Sequence, residues 1–119
     1  MAIEFGITDH AVDGSTHVVS VTGEIDLFTA PEFKQRVTAP IASGVDHVIV
    51  DLMETTFIDS SSLGVLIGAH RRLKARGGQL IVACDGDAIV RTFRITGLDG
   101  VFKLVDSIEA ALGARSEAA

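Results

Sequence analysis

The sequence predicts an α/β domain: a mixed, mostly parallel sheet of about five strands with about four helices. Three observations predict it. Short apolar runs alternate with segments of helical period along nearly the whole chain, the pattern of strand–helix–strand crossovers. Residues 47–52 are almost continuously apolar, as in a central strand buried on both faces. At 119 residues, 47% hydrophobic and 22% charged, the chain suffices for one core without disulfide or metal staples.

Residues 3–8 alternate apolar and polar, which places Ile3, Phe5 and Ile7 on one face of a half-buried first strand. Asp13-Gly14 marks a turn, and residues 17–22 form a second strand pairing antiparallel with the first. His10 and His17 flank that turn with no acid or cysteine at ligand spacing and are expected at the surface. A helix then starts with Thr29 as cap, Pro31 in the first turn, Glu32 closing a capping box and Phe28 stapled onto Phe33. Phe33, Val37 and Ile41 face a core. Pro40 is expected to kink or end this helix, with Gly44 just beyond.

After the central strand, a second helix is expected from Ser61 to about Ala75, closed by Gly77-Gly78. Its inward stripe carries Leu63, Leu66, Ile67, His70 and Leu73, so His70 reads as a packed histidine. The opposite face reads Ser61, Gly64, Val65, Gly68 and Arg72. A glycine inside a helix costs roughly 1 kcal/mol relative to alanine. Two of them one turn apart imply either tight packing on the protein's own sheet or close approach of a partner. Residues 79–84 make the next buried strand, and Asp85-Gly86-Asp87 offers a cap for a helix over residues 88–95. In that helix Ile89 and Phe93 point inward, Arg91 and Arg94 outward. Residues 101–105 make a last strand, and Ser107 caps a terminal helix carrying Ile108 and Leu112. The domain is expected over residues 1–113, with 114–119 a frayed tail.

Several function classes are disfavoured. A net charge of −6 argues against a nucleic-acid surface, which needs clustered cations. The local cluster Arg71, Arg72, Lys74 and Arg76 reads as a solvated helix end, where cations oppose the dipole. One cysteine, Cys84, lies in an apolar run and reads as a buried, inert thiol. No apolar segment approaches the ~18 residues that span a bilayer, and the first residues lack a basic-then-apolar leader. The expectation is a cytoplasmic protein without membrane contact, cofactor or metal. A hydrolase is disfavoured because Ser60 lacks the Gly-x-Ser-x-Gly elbow and no histidine has a route to it. Gly77-Gly78 has no following Lys-Ser/Thr, so a phosphate-binding loop is unsupported.

What remains is chemistry on a hydroxyl. Asp59, Ser60, Ser61 and Ser62 fall where a strand should turn into a helix. Acids and hydroxyls are favoured there because the first backbone N–H groups lack internal partners. The same N–H groups and the positive end of the dipole suit an added phosphate. The loop around Asp26 leaves a strand end too, so Asp26 and Asp59 are expected to converge at the carboxyl edge of the sheet.

The segments Thr22-Gly23-Glu24-Ile25-Asp26, Thr29-Ala30-Pro31-Glu32, Val48-Ile49-Val50-Asp51-Leu52, Phe57-Ile58-Asp59-Ser60-Ser61 and Leu63-Gly64-Val65-Leu66 resemble the STAS domain of bacterial anti-sigma-factor antagonists. Gly77-Gly78 and Phe93-Arg94-Ile95-Thr96-Gly97-Leu98 continue the likeness over nearly the whole chain. The resemblance implies a partner switch, not an enzyme. The unmodified protein binds an anti-sigma factor that is also a serine kinase and so frees a sigma factor. That kinase phosphorylates the serine after the motif aspartate, here Ser60, which breaks the complex, and a serine phosphatase restores it. Asp26 and Asp59 match acidic positions implied to shape the kinase-binding surface, and the Ser61, Gly64, Val65, Gly68 and Arg72 face is the expected dock. The family often has glycine where Ser62 stands, which leaves three adjacent hydroxyls and makes Ser61 the alternative acceptor. The alternative role is a STAS scaffold or transporter-accessory protein that works without phosphorylation.

Overall fold

The computed structural model describes residues 4–115. The chain runs β1 (Gly6–Asp13), β2 (Thr16–Ile25), α1 (Ala30–Ala42), β3 (His47–Ile58), α2 (Ser60–Lys74), β4 (Gln79–Ala83), α3 (Asp87–Ile95), a 3-10 turn (Leu98–Gly100), β5 (Lys103–Val105) and α4 (Ile108–Ala114). The five strands lie in the order β1-β2-β3-β4-β5. Only β1 is antiparallel to its neighbour; the other three pairings are parallel. The expected α/β architecture is present, with five strands and four α-helices among the described residues.

Side-chain alternation in β3 divides the core. Val48 and Val50 join Phe33, Val37 and Ile41 of α1, Leu63, Leu66 and Leu73 of α2, and Ile89 and Phe93 of α3 in one buried cluster. Ile49, pointing the other way, meets Val18, Ile81 and Ala111 and Ala114 of α4. The three crossover helices therefore share one face of the sheet and α4 covers the other. This is why β3 reads as an uninterrupted apolar run.

Several local expectations are corrected. The first strand lies later than the 3–8 alternation suggests, running to Asp13, and Ile3 lies outside the described residues. His17 has an acidic partner after all: its Nε2 is 2.7 Å from Asp9 Oδ1, brought there by the hairpin register rather than by sequence spacing. Arg36 of α1 sits 2.7 Å from the other oxygen of Asp9. Together His17 and Arg36 hold the Asp9 carboxyl below its usual range, against the upward push of burial. Pro40 does not stop α1, which ends two residues later at Ala42. In the final turn a missing N–H costs one helical bond, and the Pro40 carbonyl still accepts from Val45 at 3.2 Å. The last strand begins at Lys103 rather than at residue 101, because the N–H groups of Val101 and Phe102 both close onto the Leu98 carbonyl at 3.0 Å, at the end of a 3-10 turn over Leu98–Gly100. Gly86 begins α3 with no side-chain cap from its neighbours. Of the expected tail, Ala114 is buried, and Arg115 donates to Asp13 at 3.1 Å and to Thr16 at 2.9 Å. Both belong to the domain; residues 116–119 lie outside the described ones.

Arg76 is also more than a solvated cation. Its Nη2 donates to the Ile41 carbonyl at 2.7 Å and to the Val45 carbonyl, tying the end of α2 to the connection between α1 and β3. Ser107 caps α4 as expected, accepting the Ala110 N–H at 3.0 Å.

Candidate functional site

The carboxyl ends of β2 and β3 converge, as the strand pattern implies. Ile25 pairs with Ile58, and the Asp59 N–H donates to the Ile25 carbonyl at 3.1 Å. This extra pairing exists because β3 continues through Thr55 to Ile58, beyond the apolar run that announces it. Thr55 is buried there without penalty because its hydroxyl donates to the Val21 carbonyl at 2.8 Å. Asp26 and Asp59 thus leave adjacent strand ends, each opening the segment that leads into a helix.

Each aspartate organises its own turn. Asp26 Oδ1 accepts the N–H groups of Phe28 at 2.9 Å and Thr29 at 3.1 Å. Thr29 returns the interaction, its hydroxyl oxygen accepting the Asp26 N–H at 2.9 Å and lying 3.2 Å from the Glu24 carbonyl. Thr29 therefore makes no side-chain cap to α1. Nor does Phe28 staple onto Phe33: Phe28 is 90% exposed while Phe33 is fully buried. The loop turns both Leu27 and Phe28 outward.

At the start of α2 the helix begins at Ser60, one residue earlier than expected, and of the four candidate side chains Asp59 is the cap. Asp59 Oδ1 accepts the Ser62 N–H at 3.0 Å, the Ser61 hydroxyl at 2.9 Å and the Ser62 hydroxyl at 3.0 Å. Burial pushes the Asp59 carboxyl up, but these bonds, that from the Ser62 N–H foremost, outweigh it and hold the group below its usual range. The three serines consequently differ. Ser62 is fully buried, with its hydroxyl bonded to Asp59. Ser61 is exposed, but its hydroxyl is engaged by the same carboxylate. Ser60 is exposed, and its hydroxyl has no hydrogen-bond partner among the described residues.

Replacing Asp59 by alanine is expected to lower the unfolding free energy by ~2–3 kcal/mol, about 1 from the cap and the rest from a buried Ser62 hydroxyl left unpaired. Urea unfolding checks this. Because the native carboxyl titrates below the ordinary 3.8, its contribution is complete above that value and is lost as pH falls through the native one. The gap between Asp59→Ala and the parent protein should be constant above about pH 5 and shrink below about pH 4.

Along α2, Leu63, Leu66 and Leu73 are buried and Ile67 half-buried, as the stripe requires, with Ala69 also buried. On the opposite face Ser61, Gly64, Gly68 and Arg72 are exposed and Val65 is half-buried. A Cβ added at Gly64 or Gly68 meets nothing within 4 Å. Packing on the protein's own sheet is therefore not what these glycines serve.

His70 is occupied elsewhere. His70 stands edge-on to Phe102, ring centroids 5.3 Å apart, and its Nδ1 accepts the Leu80 N–H at 3.4 Å. Burial, then the Lys74 charge, lowers its pKa and favours the neutral acceptor form. Cys84, at the end of β4, is buried, and burial followed by the charge of Asp85 pushes its thiol up to about 11. At neutral pH it is an unreactive thiol. Among the described residues no group of three or more His, Cys, Asp or Glu could hold a metal ion, and no helix is long and apolar enough to cross a membrane.

Comparison with known proteins places this geometry. The STAS domain family model matches residues 8–111. The anti-sigma-B factor antagonist of Listeria monocytogenes is 34% identical over 87 residues, 72% of this chain and 75% of that protein. Its counterpart in Bacillus subtilis is 31% identical over 86 residues, 72% of this chain and 78% of the relative. The crystal structure of an anti-sigma factor antagonist from Mycobacterium paratuberculosis is 32% identical and superposes with a TM-score of 0.87 over 95% of each chain. With the family model running from the first strand into the last helix, and a solved relative sharing the fold over 95% of each chain, the chain belongs to the STAS domain family.

Proposed function

We propose that this protein is an anti-sigma-factor antagonist switched by phosphorylation of Ser60. Unmodified, it binds an anti-sigma factor with serine kinase activity in the cytoplasm and so frees a sigma factor. The kinase transfers the γ-phosphoryl group of ATP to the Ser60 hydroxyl, whose proton is lost, and ADP leaves. The phosphorylated form lets go, and a serine phosphatase hydrolyses the phosphate. The chain itself acts by binding, not by catalysis.

The observation that carries this reading is the inequality of the three serines. Ser62 is inaccessible, Ser61 is engaged by Asp59, and Ser60 alone presents an exposed hydroxyl free of hydrogen bonds among the described residues. Ser60 is also the first residue of α2, where the dipole tolerates added negative charge at ~0.3–1 kcal/mol in its favour. Asp59 stands next to it with its charge retained, so a phosphate concentrates negative charge at one edge without rebuilding the fold. A partner docked across Asp26, Asp59, Ser61, Gly64, Val65, Gly68 and Arg72 would meet that charge directly.

The exposed glycines sharpen the proposal. Gly64→Ala and Gly68→Ala should each stabilise the free protein by up to ~1 kcal/mol, since the added methyl meets nothing. Each should nevertheless weaken partner binding, because the methyl stands where the partner's surface approaches. Thermal unfolding and titration calorimetry on the same variants check the opposed signs.

The proposal as a whole is tested by exchange. The purified protein is added to a complex of sigma factor and anti-sigma factor and resolved by size-exclusion chromatography. Sigma factor should elute free, and addition of ATP should reverse the exchange. A sigma complex unaffected by excess protein would instead favour the scaffold or transporter-accessory role.

A further inference from the structure

The β2–α1 loop carries two large apolar side chains that the fold does not use. Leu27 is 70% exposed and Phe28 is 90% exposed. Scattered exposed apolar residues need no explanation, but these two are adjacent and are held outward by a closed set of hydrogen bonds. Asp26 Oδ1 binds the N–H groups of Phe28 and Thr29, the Asp26 carbonyl accepts from Ala30 at 2.8 Å, and Thr29 closes the turn onto the Asp26 N–H. The loop is thus fixed while its apolar tip remains in water. It also stands at one strand end, beside the strand end that carries Asp59 and Ser60, linked to it by the Asp59–Ile25 bond. On that neighbouring strand Phe57, opposite Glu24 in the ladder, is 46% exposed. Carboxylates flank the apolar tip along the chain: Glu24 and Glu32 are exposed and Asp26 half-buried, with Glu32 3.8 Å from Arg36.

We infer that Leu27 and Phe28 are the apolar anchors by which this protein docks the partner released at Ser60, entering an apolar pocket with a basic rim on that partner. This rests on the functional reading above and extends it from a charge switch to a two-part contact. Aromatic side chains that fill a desolvated pocket dominate binding energy, and a loop already fixed in the binding geometry avoids most of the ordering cost. The acids around the tip select a basic rim, and they make this edge sensitive to further negative charge from a phosphate one strand away. Asp26 then acts as a positioning residue, through the loop it closes.

The test measures the dissociation constant of the unmodified protein for the ATP-dependent kinase that labels it, together with the kinetics of that labelling. Phe28→Ser should raise the dissociation constant at least tenfold, about 1.4 kcal/mol, while Phe28→Leu should stay within about threefold. Phe28→Ser should raise the KM for labelling and leave kcat unchanged, with no shift in thermal midpoint because the side chain packs against nothing it loses. Leu27→Ser should behave as Phe28→Ser does. If Phe28→Ser binds within twofold of the parent while Ser60→Asp is released, the anchors are wrong and the switch stands. If the parent protein does not bind the kinase, the functional reading fails and takes the anchors with it. If the parent protein is a dimer that Phe28→Ser dissociates, the loop serves a second copy and the inference is overturned.

Discussion

Replacing Ser60 by aspartate should weaken binding to the anti-sigma partner about a hundredfold or more and leave the stability of the protein within about 0.5 kcal/mol of the parent. The two effects separate because Ser60 is exposed and its hydroxyl holds nothing in place, so the fold loses no bond. The helix terminus modestly favours the new carboxylate, and Asp59 next to it modestly opposes it. In the complex the balance changes. A charge buried against a partner without a counter-charge costs several kcal/mol, and each ~1.4 kcal/mol is tenfold in affinity. The phosphate, with about −1.5 to −2 charges, should release the partner more completely than the aspartate does. Titration of both forms, with urea unfolding alongside, reads the two quantities separately.

The largest effect on stability is expected at a glycine far from the site. An alanine at Gly78 would place its Cβ 1.9 Å from the Asp46 carbonyl oxygen and 2.8 Å from the carbon of the same group. Both are backbone atoms, so no side chain can swing aside. The chain runs this close because the Gly78 N–H closes α2 onto the Leu73 carbonyl at 2.8 Å, and the next N–H, that of Gln79, donates to Asp46 at 3.0 Å. Accommodating the methyl means separating the entry of β4 from the entry of β3. Gly78→Ala should cost at least ~3 kcal/mol, in the range reserved for core strain and lost backbone bonding. The thermal midpoint should fall by roughly 10 °C or more. Gly64→Ala, with the same methyl in open space, is the matched control.

Much of this architecture was legible from residue pattern. The run from Val48 to Leu52 announces a strand buried on both faces, and the stripe of Leu63, Leu66 and Leu73 announces the helix that follows. Both signals depend only on period, and period survives folding. What was not legible depends on which of several equivalent groups wins a shared partner. Four side chains, from Asp59 to Ser62, compete for the first N–H groups of α2. The carboxylate prevails because its negative charge lets Oδ1 accept from the Ser62 N–H and two hydroxyls at once, whereas a neutral serine hydroxyl is the weaker acceptor. Sequence alone therefore locates the right turn without showing which of the four side chains caps it.

Phe28 failed for a related reason. A phenylalanine five residues before another at a helix start satisfies the spacing of a hydrophobic staple, but the pull of Asp26 on the Phe28 N–H turns the side chain away. The partner of His17 is not legible from spacing, because Asp9 is eight residues away and meets it only across the hairpin. The polar stretch Glu54-Thr55-Thr56 hid the second half of β3, since parallel pairing with β2 rather than apolar content holds it in the sheet.

On the proposed function, the free hydroxyl of Ser60 is the acceptor. Its test is intact-mass measurement, with tandem-mass site mapping, after incubation with the proposed anti-sigma kinase and ATP. The parent protein should gain one phosphate mapped to Ser60. Ser60→Ala should gain none, and Ser61→Ala should be labelled as fully as the parent. Labelling of Ser60→Ala to the parent's extent, at Ser61 or elsewhere, would rule Ser60 out as the acceptor.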